Sequence, residues 1–469
     1  MSDAVRDGTI AVILAAGQGK RMKSDLPKVM HKVGGMPMIG MVYDAVKRSG
    51  IRRCVVVVGY REEVVRAYLG DQVEYVVQTE RLGTGHAVLT ALRALGDISG
   101  QTRVLVVHGD MPLIRPETIS RICEQSGANA ERASLMYADL PNPFGFGRIV
   151  RDSEGRFIGI VEQKDASEDE ERITEVNVGI YCFDAVLLRS ALGMLRSDNR
   201  QGEFYLTDVF ASFVGSGRHV GVYPMQNNRE CLGVNDRAEL AALNRTLWDE
   251  KCGALMRDSG VTIIDPQNTY IDQNVKVGRD TVIYPGCVLE GGTEIGEGAL
   301  IGPYTRSADS VVGAGAKIEN SVVTQAAVGE GANVGPFAYL RPGTVLRANV
   351  KVGDFVEIKN ATVGEGTKIP HLSYVGDADV GDNTNIGCGA ITCNYDGREK
   401  HRTTIGSNVF IGSNSNLVAP VTVMDGAYIA SGSTITEDVP GDALAIARER
   451  QVVKDHWVSK KGLTRAPKT

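Results

Sequence analysis

Apolar residues along this chain keep two different rhythms. Between residues 10 and 236, short β-branched runs at 10–14, 54–58, 73–78, 104–107 and 133–137 alternate with helical stretches. That alternation predicts an α/β domain around a largely parallel, Rossmann-like sheet. From Ile271 onward an aliphatic residue falls at every sixth position: Ile271, Val277, Ile283, Leu289, Ile295 and Ile301. The register resumes with Val328, Val334, Leu340, Leu346, Val352 and Ile358, and again with Ile405, Ile411, Leu417, Val423, Ile429 and Ile435. Neither a helix nor an amphipathic strand repeats every six residues, but a β-solenoid of hexapeptides does, each unit forming one flat side of a coil. The aliphatic residue of each unit points inward. A Gly, Ala or short polar residue usually follows it, as in Val277-Gly278 and Ile411-Gly412, where the backbone packs closely or turns a corner.

The two rhythms meet at a helical pattern. Asp236 precedes Glu239 at capping-box spacing, and Leu240, Leu243, Leu247 and Leu255 follow at helical spacing before Gly260. The chain therefore divides into an α/β domain over 1–236, a linker helix over 237–258 and a solenoid domain with its tail over 259–469. A solenoid needs help to cap its ends, and a prism with three flat sides suits threefold assembly, so a homotrimer is expected.

Composition narrows the function classes. A length of 469 residues fits two or three domains, and 43% hydrophobic content supports sizeable cores. A net charge of −6 speaks against a nucleic-acid module, which needs a basic face. The Lys and Arg residues beyond Arg448 read as a solvated end with no assigned partner. Eight cysteines stand singly, without CxxC pairs, as reduced thiols would in a cytoplasmic protein. The first nine residues lack the apolar core of a signal peptide, and no run is long enough for a membrane span.

The first strand runs into Leu14-Ala15-Ala16-Gly17-Gln18-Gly19-Lys20-Arg21-Met22, with Pro27-Lys28 downstream. Small residues and glycines let backbone N–H groups approach a phosphate chain, while Arg21 and Lys28 supply positive charge. The spacing fits neither a dinucleotide GxGxxG nor a Walker loop. It resembles the LAAGxGxRM and PK signature of the sugar-1-phosphate nucleotidyltransferases. That resemblance makes Gln78, Gly83 and Thr84 part of a uracil-recognition stretch and gives Gly147, Glu162 and Asn177 contacts to the sugar. His108-Gly109-Asp110 follows a strand, where open α/β sheets place ligands, so Asp110 suits a Mg²⁺ bridging nucleotide phosphates. The resemblance makes Asn235 the second metal ligand. His108 stands where the family often has Tyr, and Val178 where it often has Thr.

The longest break in the hexapeptide register separates Ile386 from Ile405 and contains the polar run from Thr392 to His401. Such an insertion is either an inert loop or a functional one, and in so regular a fold function is favoured. Just upstream, His371 is the best general-base candidate, because an acyl transfer to an amine needs a group that takes its proton near neutral pH. A metal site would need three converging His ligands, whereas only His371 and His401 fall in the solenoid.

Together the two halves resemble the family of bacterial bifunctional N-acetylglucosamine-1-phosphate uridyltransferases / glucosamine-1-phosphate N-acetyltransferases. The resemblance rests on Leu340-Arg341-Pro342-Gly343, Glu357-Ile358-Lys359-Asn360, the stretches 371–377 and 391–397, and Leu444-Ala445-Ile446-Ala447-Arg448. It implies a left-handed β-helix, glucosamine-1-phosphate, acetyl-CoA and UTP as substrates, and an acetylation site shared between neighbouring solenoids. Arg341 and Lys359 would bind the substrate phosphate, Tyr374 and Asn385 the sugar, with Lys400 reaching in from the insertion. Cys388, Asn394, Tyr395, Ser413, Ser431 and Arg448 would line the acetyl-CoA site; Cys388 and Ser431 replace a common Ala. The competing readings are a monofunctional sugar-1-phosphate nucleotidyltransferase with a structural β-helix, and a purely structural assembly module. The first predicts a solenoid without a base; the second leaves Lys28, Asp110 and Asn235 unexplained.

Overall fold

The computed structural model describes residues 5, 7–96, 98, 100–128 and 131–463. The chain divides into two compact units, Met1–Leu247 and Trp248–Thr469.

In the first unit, β1 (Thr9–Leu14), β2 (Arg53–Val58), β3 (Glu74–Val77) and β4 (Arg103–His108) are parallel, with β1 between β2 and β4. Alternate residues face opposite sides: Ile13, Val56 and Val107 enter one core, and Val12, Val57 and Val106 the other. Strands buried on both faces read as unbroken apolar runs, which is why the sequence pattern locates them. The core on one side is completed by α1 (Met38–Arg48), α2 (Glu62–Leu69) and α4 (Pro116–Ala128), and on the other by α3 (Thr84–Ala94) together with the helices Ala185–Leu192 and Asp208–Gly215. Next in the chain come β5 (Ala133–Asp139), the antiparallel pair β6 (Gly147–Arg151) and β7 (Phe157–Val161), and the long β8 (Glu175–Asp184). β8 runs antiparallel between β4 and β5, and β9 (Val220–Pro224) adds parallel to β5 at the edge. The sheet order is β9-β5-β8-β4-β1-β2-β3.

A 22-residue helix, Arg237–Asp258, carries the chain from one unit into the other. Asp236 Oδ1 accepts from the N–H groups of Ala238 and Glu239, both at 2.9 Å, as an N-cap should. The reciprocal arm departs from the expected capping box, because Glu239 Oε2 accepts from the N–H of Asn235 at 2.6 Å rather than that of Asp236.

The second unit is a left-handed parallel β-helix whose described residues form three sheets of eleven, ten and nine strands. Every inward aliphatic residue of the six-residue register is buried. At its first coil, Cys252 and Leu255 of the helix join the solenoid core, and the Trp248 ring meets Tyr270 edge-on at 5.0 Å. Two corner devices close the coils. Behind an inward aliphatic, Gly296 lies so near the next coil that a Cβ would sit 2.6 Å from Ala314 N. At another corner the chain turns through left-handed φ in a column of Asp280, Gly298, Gly315, Gly331, Asn349, Gly366, Asn383 and Asn408. Only residue types that tolerate that conformation occupy it.

Candidate active sites

The loop after β1 is pinned to its neighbours: Ala15 N donates to Val57 O at 2.8 Å, and Gly109 N to Leu14 O at 2.9 Å. Gly19 turns with φ 64°, and a Cβ there would lie 2.7 Å from Lys28 Cβ, so glycine lets the loop lie along the lysine stem. The Lys28 ammonium donates to Asp110 Oδ2 at 2.5 Å and to Asn235 Oδ1 at 2.9 Å. Three segments far apart in sequence thus converge on one point. Val234 N also donates to Asp110 O at 3.3 Å, which ties the approach to Asn235 to the end of β4.

Three cavities meet at Asp110. One of about 350 Å³ is lined by Leu14, Ala15, Ala16, Gly17, Lys28, Gln78, Gly83, Thr84 and His108. A second of about 320 Å³ shares Thr84 and His108 and adds Gly147, Glu162 and Asn177. The third, about 450 Å³, holds Arg21 and Asn235. Gly109 lines none of them; it is buried against Ile39 and Leu14. Gln78 is buried and donates its amide to Gly83 O at 3.1 Å, holding the turn that follows. Gly83 must be glycine, since its φ is 108° and a Cβ would meet Phe204 O at 2.6 Å. An irregular register in β8 between Asn177 and Tyr181 turns this stretch toward the cavity, and Asn177 Nδ2 donates to the Tyr181 hydroxyl at 2.7 Å.

Electrostatics follow from burial. Burial pushes the His108 imidazole below its ordinary value, with Asp110 opposing and Lys28 adding to the effect. Burial alone would raise Asp110, but the charges of Lys28 and His108 and the Lys28 hydrogen bond outweigh it and hold the carboxyl low. Glu162 goes the other way, raised by burial and by Asp208 and Asp165, although Thr207 Oγ1 donates to it at 2.9 Å. Glu203 and Tyr205, which line the second cavity, carry no motif that sequence reasoning could have used.

On the solenoid the register aligns the second set. Val352 pairs with Ile369, Ile386 with Ile411, and Ile411 with Ile429, while Lys368 pairs with Asn385. Asp354, His371, Cys388, Ser413 and Ser431 each lie two residues beyond one of those aliphatics and form one column over five successive coils. His371 Nδ1 is 2.7 Å from Asp354 Oδ1. Asp354 is a residue the motif reading missed, because its signal is the coil register and not a local pattern.

A second column carries the cations. Leu340 pairs with Ile358 and Lys359 with Gly376, which sets Arg341 beside Lys359. Arg341 Nη1 donates to Glu357 Oε1 at 2.7 Å. Contact with the Lys400 ammonium, with a smaller push from Arg341, holds Lys359 below its ordinary value. Three cations thus crowd one patch, as an anion-binding site requires. Tyr374 folds over Gly376, where a Cβ would sit 2.3 Å from the phenol oxygen.

The insertion stands on two carboxylates. Asp377, only 7% exposed, accepts from Asn360 Nδ2 at 2.6 Å and from Asn394 Nδ2, and Asp379 pairs with Arg402. Asn385 is half-buried, whereas Tyr395, Lys400, Ser413, Ser431 and Arg448 are exposed. An Arg448 methylene would lie 3.6 Å from a Cβ on Gly432, beside Ser431.

A family model for the MobA-like NTP transferase domain matches residues 11–168, and a model for the bacterial transferase hexapeptide (six repeats) matches 268–306 and 402–437. The bifunctional protein GlmU of Carboxydothermus hydrogenoformans is 51% identical over 447 residues, spanning 95% of this chain and 99% of the relative. The protein of the same name from Acetivibrio thermocellus is 49% identical over 98% of this chain and 99% of its own. That from Clostridioides difficile is 48% identical over 96% of this chain and 97% of its own. With identity of this order running through both units, the chain belongs to the family of the bifunctional protein GlmU.

Proposed function

We propose that this enzyme makes UDP-N-acetylglucosamine in two steps. The solenoid transfers acetyl from acetyl-CoA to the amine of glucosamine-1-phosphate. The α/β unit then transfers uridylyl from UTP to N-acetylglucosamine-1-phosphate and releases pyrophosphate. The observation that carries this reading is that each unit holds its own clusters of charged side chains: Lys28 with Asp110 and Asn235 in the first, and in the second the His371–Asp354 pair and the patch of Arg341, Lys359 and Lys400.

In uridylyl transfer the sugar phosphate attacks the α-phosphorus of UTP in line, so the protein's work is positioning and charge stabilisation. Asp110 and Asn235 present a carboxylate and an amide oxygen to one point, a hard-oxygen pair that suits Mg²⁺ completed by phosphates and water. Such an ion, when bound, supplies charge neutralisation on the phosphates. Lys28 and Arg21 add fixed positive charge, the Leu14–Gly17 backbone approaches the phosphate chain, and Gln78, Gly83 and Thr84 face the base. Gly147, Glu162 and Asn177 hold the sugar.

In acetyl transfer Arg341, Lys359 and Lys400 hold the phosphate, and Tyr374 and Asn385 hold the sugar. His371 takes the amine proton as nitrogen attacks the thioester. Cys388, Asn394, Tyr395, Ser413, Ser431 and Arg448 flank the acetyl-CoA. The product feeds cell-envelope synthesis in the cytoplasm; among the described residues no helix is long and apolar enough to cross a membrane. The working form is a homotrimer. Support comes from one solenoid corner where Tyr304, Phe337, Phe355 and Leu372 are exposed at 69, 53, 59 and 60%. All four take positive φ, a costly place for a bulky apolar side chain facing water.

The decisive experiment follows CoA thiol release from glucosamine-1-phosphate and acetyl-CoA without UTP. Release in the wild type is expected to fall by about 100-fold or more in His371→Ala, with pyrophosphate formation from UTP retained. No release from the wild type would leave the β-helix a scaffold and the chain a monofunctional nucleotidyltransferase.

A further inference from the structure

The ladder between coils is longer beside His371 than elsewhere in its sheet. Lys351–Asp354 and Lys368–His371 are four-residue strands, and their register puts Asp354 opposite His371. The other strands of this sheet span two residues. Gly353 makes the extension possible, because a Cβ there would lie 1.9 Å from Pro370 O. Beyond the pair, Leu372 N donates to Asp354 O at 2.9 Å, and Ser373 Oγ to His371 O at 2.8 Å. The backbone is therefore fixed on both sides of the two side chains.

An ionised carboxylate can only accept, so Asp354 Oδ1 at 2.7 Å obliges His371 Nδ1 to carry a proton. The hydrogen bond from His371 in turn holds the Asp354 carboxyl below its ordinary value. That leaves the lone pair on Nε2, the nitrogen turned away from Asp354. We propose that Asp354 is a positioning residue for acetyl transfer, holding His371 in the tautomer whose Nε2 is the base and stabilising the imidazolium that forms. The proposal rests on the reading of His371 as general base given above. In the step, the amine nitrogen of glucosamine-1-phosphate bonds to the thioester carbonyl carbon and passes one N–H proton to Nε2. The C–S bond then breaks, and the imidazolium returns that proton to the departing CoA sulfur. Asp354 stays ionised throughout and exchanges no proton with substrate.

The test is steady-state acetyl transfer by the full-length protein carrying Asp354→Ala or Asp354→Asn. For Asp354→Ala, kcat is expected to fall about 10- to 100-fold with both KM values within about twofold of wild type, because ground-state binding is untouched. Asp354→Asn keeps an acceptor without the charge and falls between. With only seven histidines in the chain, ¹⁵N-histidine labelling reads the tautomer directly. His371 is expected as Nδ1–H in the wild type, and that preference is expected to disappear in Asp354→Ala. Wild-type kcat in Asp354→Ala, or a loss confined to KM, overturns the proposal. His371→Ala run alongside separates the two readings: activity kept there sinks the base assignment itself, whereas activity lost there and kept in Asp354→Ala sinks only the positioning role.

Discussion

Asp377 shows how a single buried carboxylate can hold an inserted loop in place. Its burial would raise its pKa, but the amides of Asn360 and Asn394 and the charges of Lys400 and Lys359 pull it below the usual 3.8. A depressed folded value stabilises the structure fully above the ordinary carboxylate range, and the contribution is lost only as pH falls through the lower folded value. Hydrogen exchange over residues 394–402 should therefore show a protection factor that this carboxylate keeps constant from about pH 5 upward and that declines below about pH 4. Asp377→Ala at neutral pH is expected to cost about 2 kcal/mol of local stability, or roughly 30-fold in protection. Asp110 belongs to the site proposed for uridylyl transfer, and its removal has a different readout. Asp110→Asn keeps the shape but removes the charge facing Lys28, so uridylyl transfer should drop about 100-fold or more while thiol release continues. Sequence motifs reached Asp110, Lys28 and His371 because each sits in a local signature. They gave no role to Asp354 or Asp377, whose partners are 17 residues away in the chain.

At the scale of elements, the hydrophobic rhythm specified more than the turns did. Leu240, Leu243, Leu247 and Leu255 all fall in the helix Arg237–Asp258, and the parallel strands β1 to β4 each lie within two residues of the apolar runs. β8 was not distinguishable in the same way, since an antiparallel strand buried on both faces carries the same unbroken apolar pattern as a parallel one. In the solenoid the glycines divide into two kinds that the sequence alone does not separate. Gly296 is there for space, with Ala314 N 2.6 Å from any added Cβ, whereas Gly298 has open space and is there for its φ of 65°. Opposite substitutions should separate the two roles. Gly296→Ala is expected to cost about 1–3 kcal/mol by overpacking, while Gly298→Asn, matching Asn349 and Asn383 in its own column, should change stability by less than about 0.5 kcal/mol. Urea unfolding of the two variants checks this, and equal losses would refute the distinction.

For the whole molecule, the question is why evolution would leave Phe337 and Phe355 stacked on each other in water, with ring centroids 5.4 Å apart and planes 8° from parallel. Each occupies a left-handed corner position that glycine or asparagine fills elsewhere, so both backbone strain and exposed apolar area argue for a covering surface. The column leads directly to Leu372, the neighbour of His371, which puts the apolar stripe beside the residue proposed as the base of acetyl transfer. If a second copy of the chain covers that corner, it also borders the site, and assembly becomes a condition of acetyl transfer but not of uridylyl transfer. The double substitution Phe337→Asp with Phe355→Asp places two like charges in the stripe and should convert the proposed trimer to monomer by light scattering. Thiol release should be lost along with the trimer, while pyrophosphate formation should stay within about twofold of wild type, because the residues proposed to hold UTP lie wholly in the first unit. A monomer that still released CoA at the wild-type rate would show that one solenoid alone completes the site, and a trimer that survived the charges would place the interface on another face of the prism.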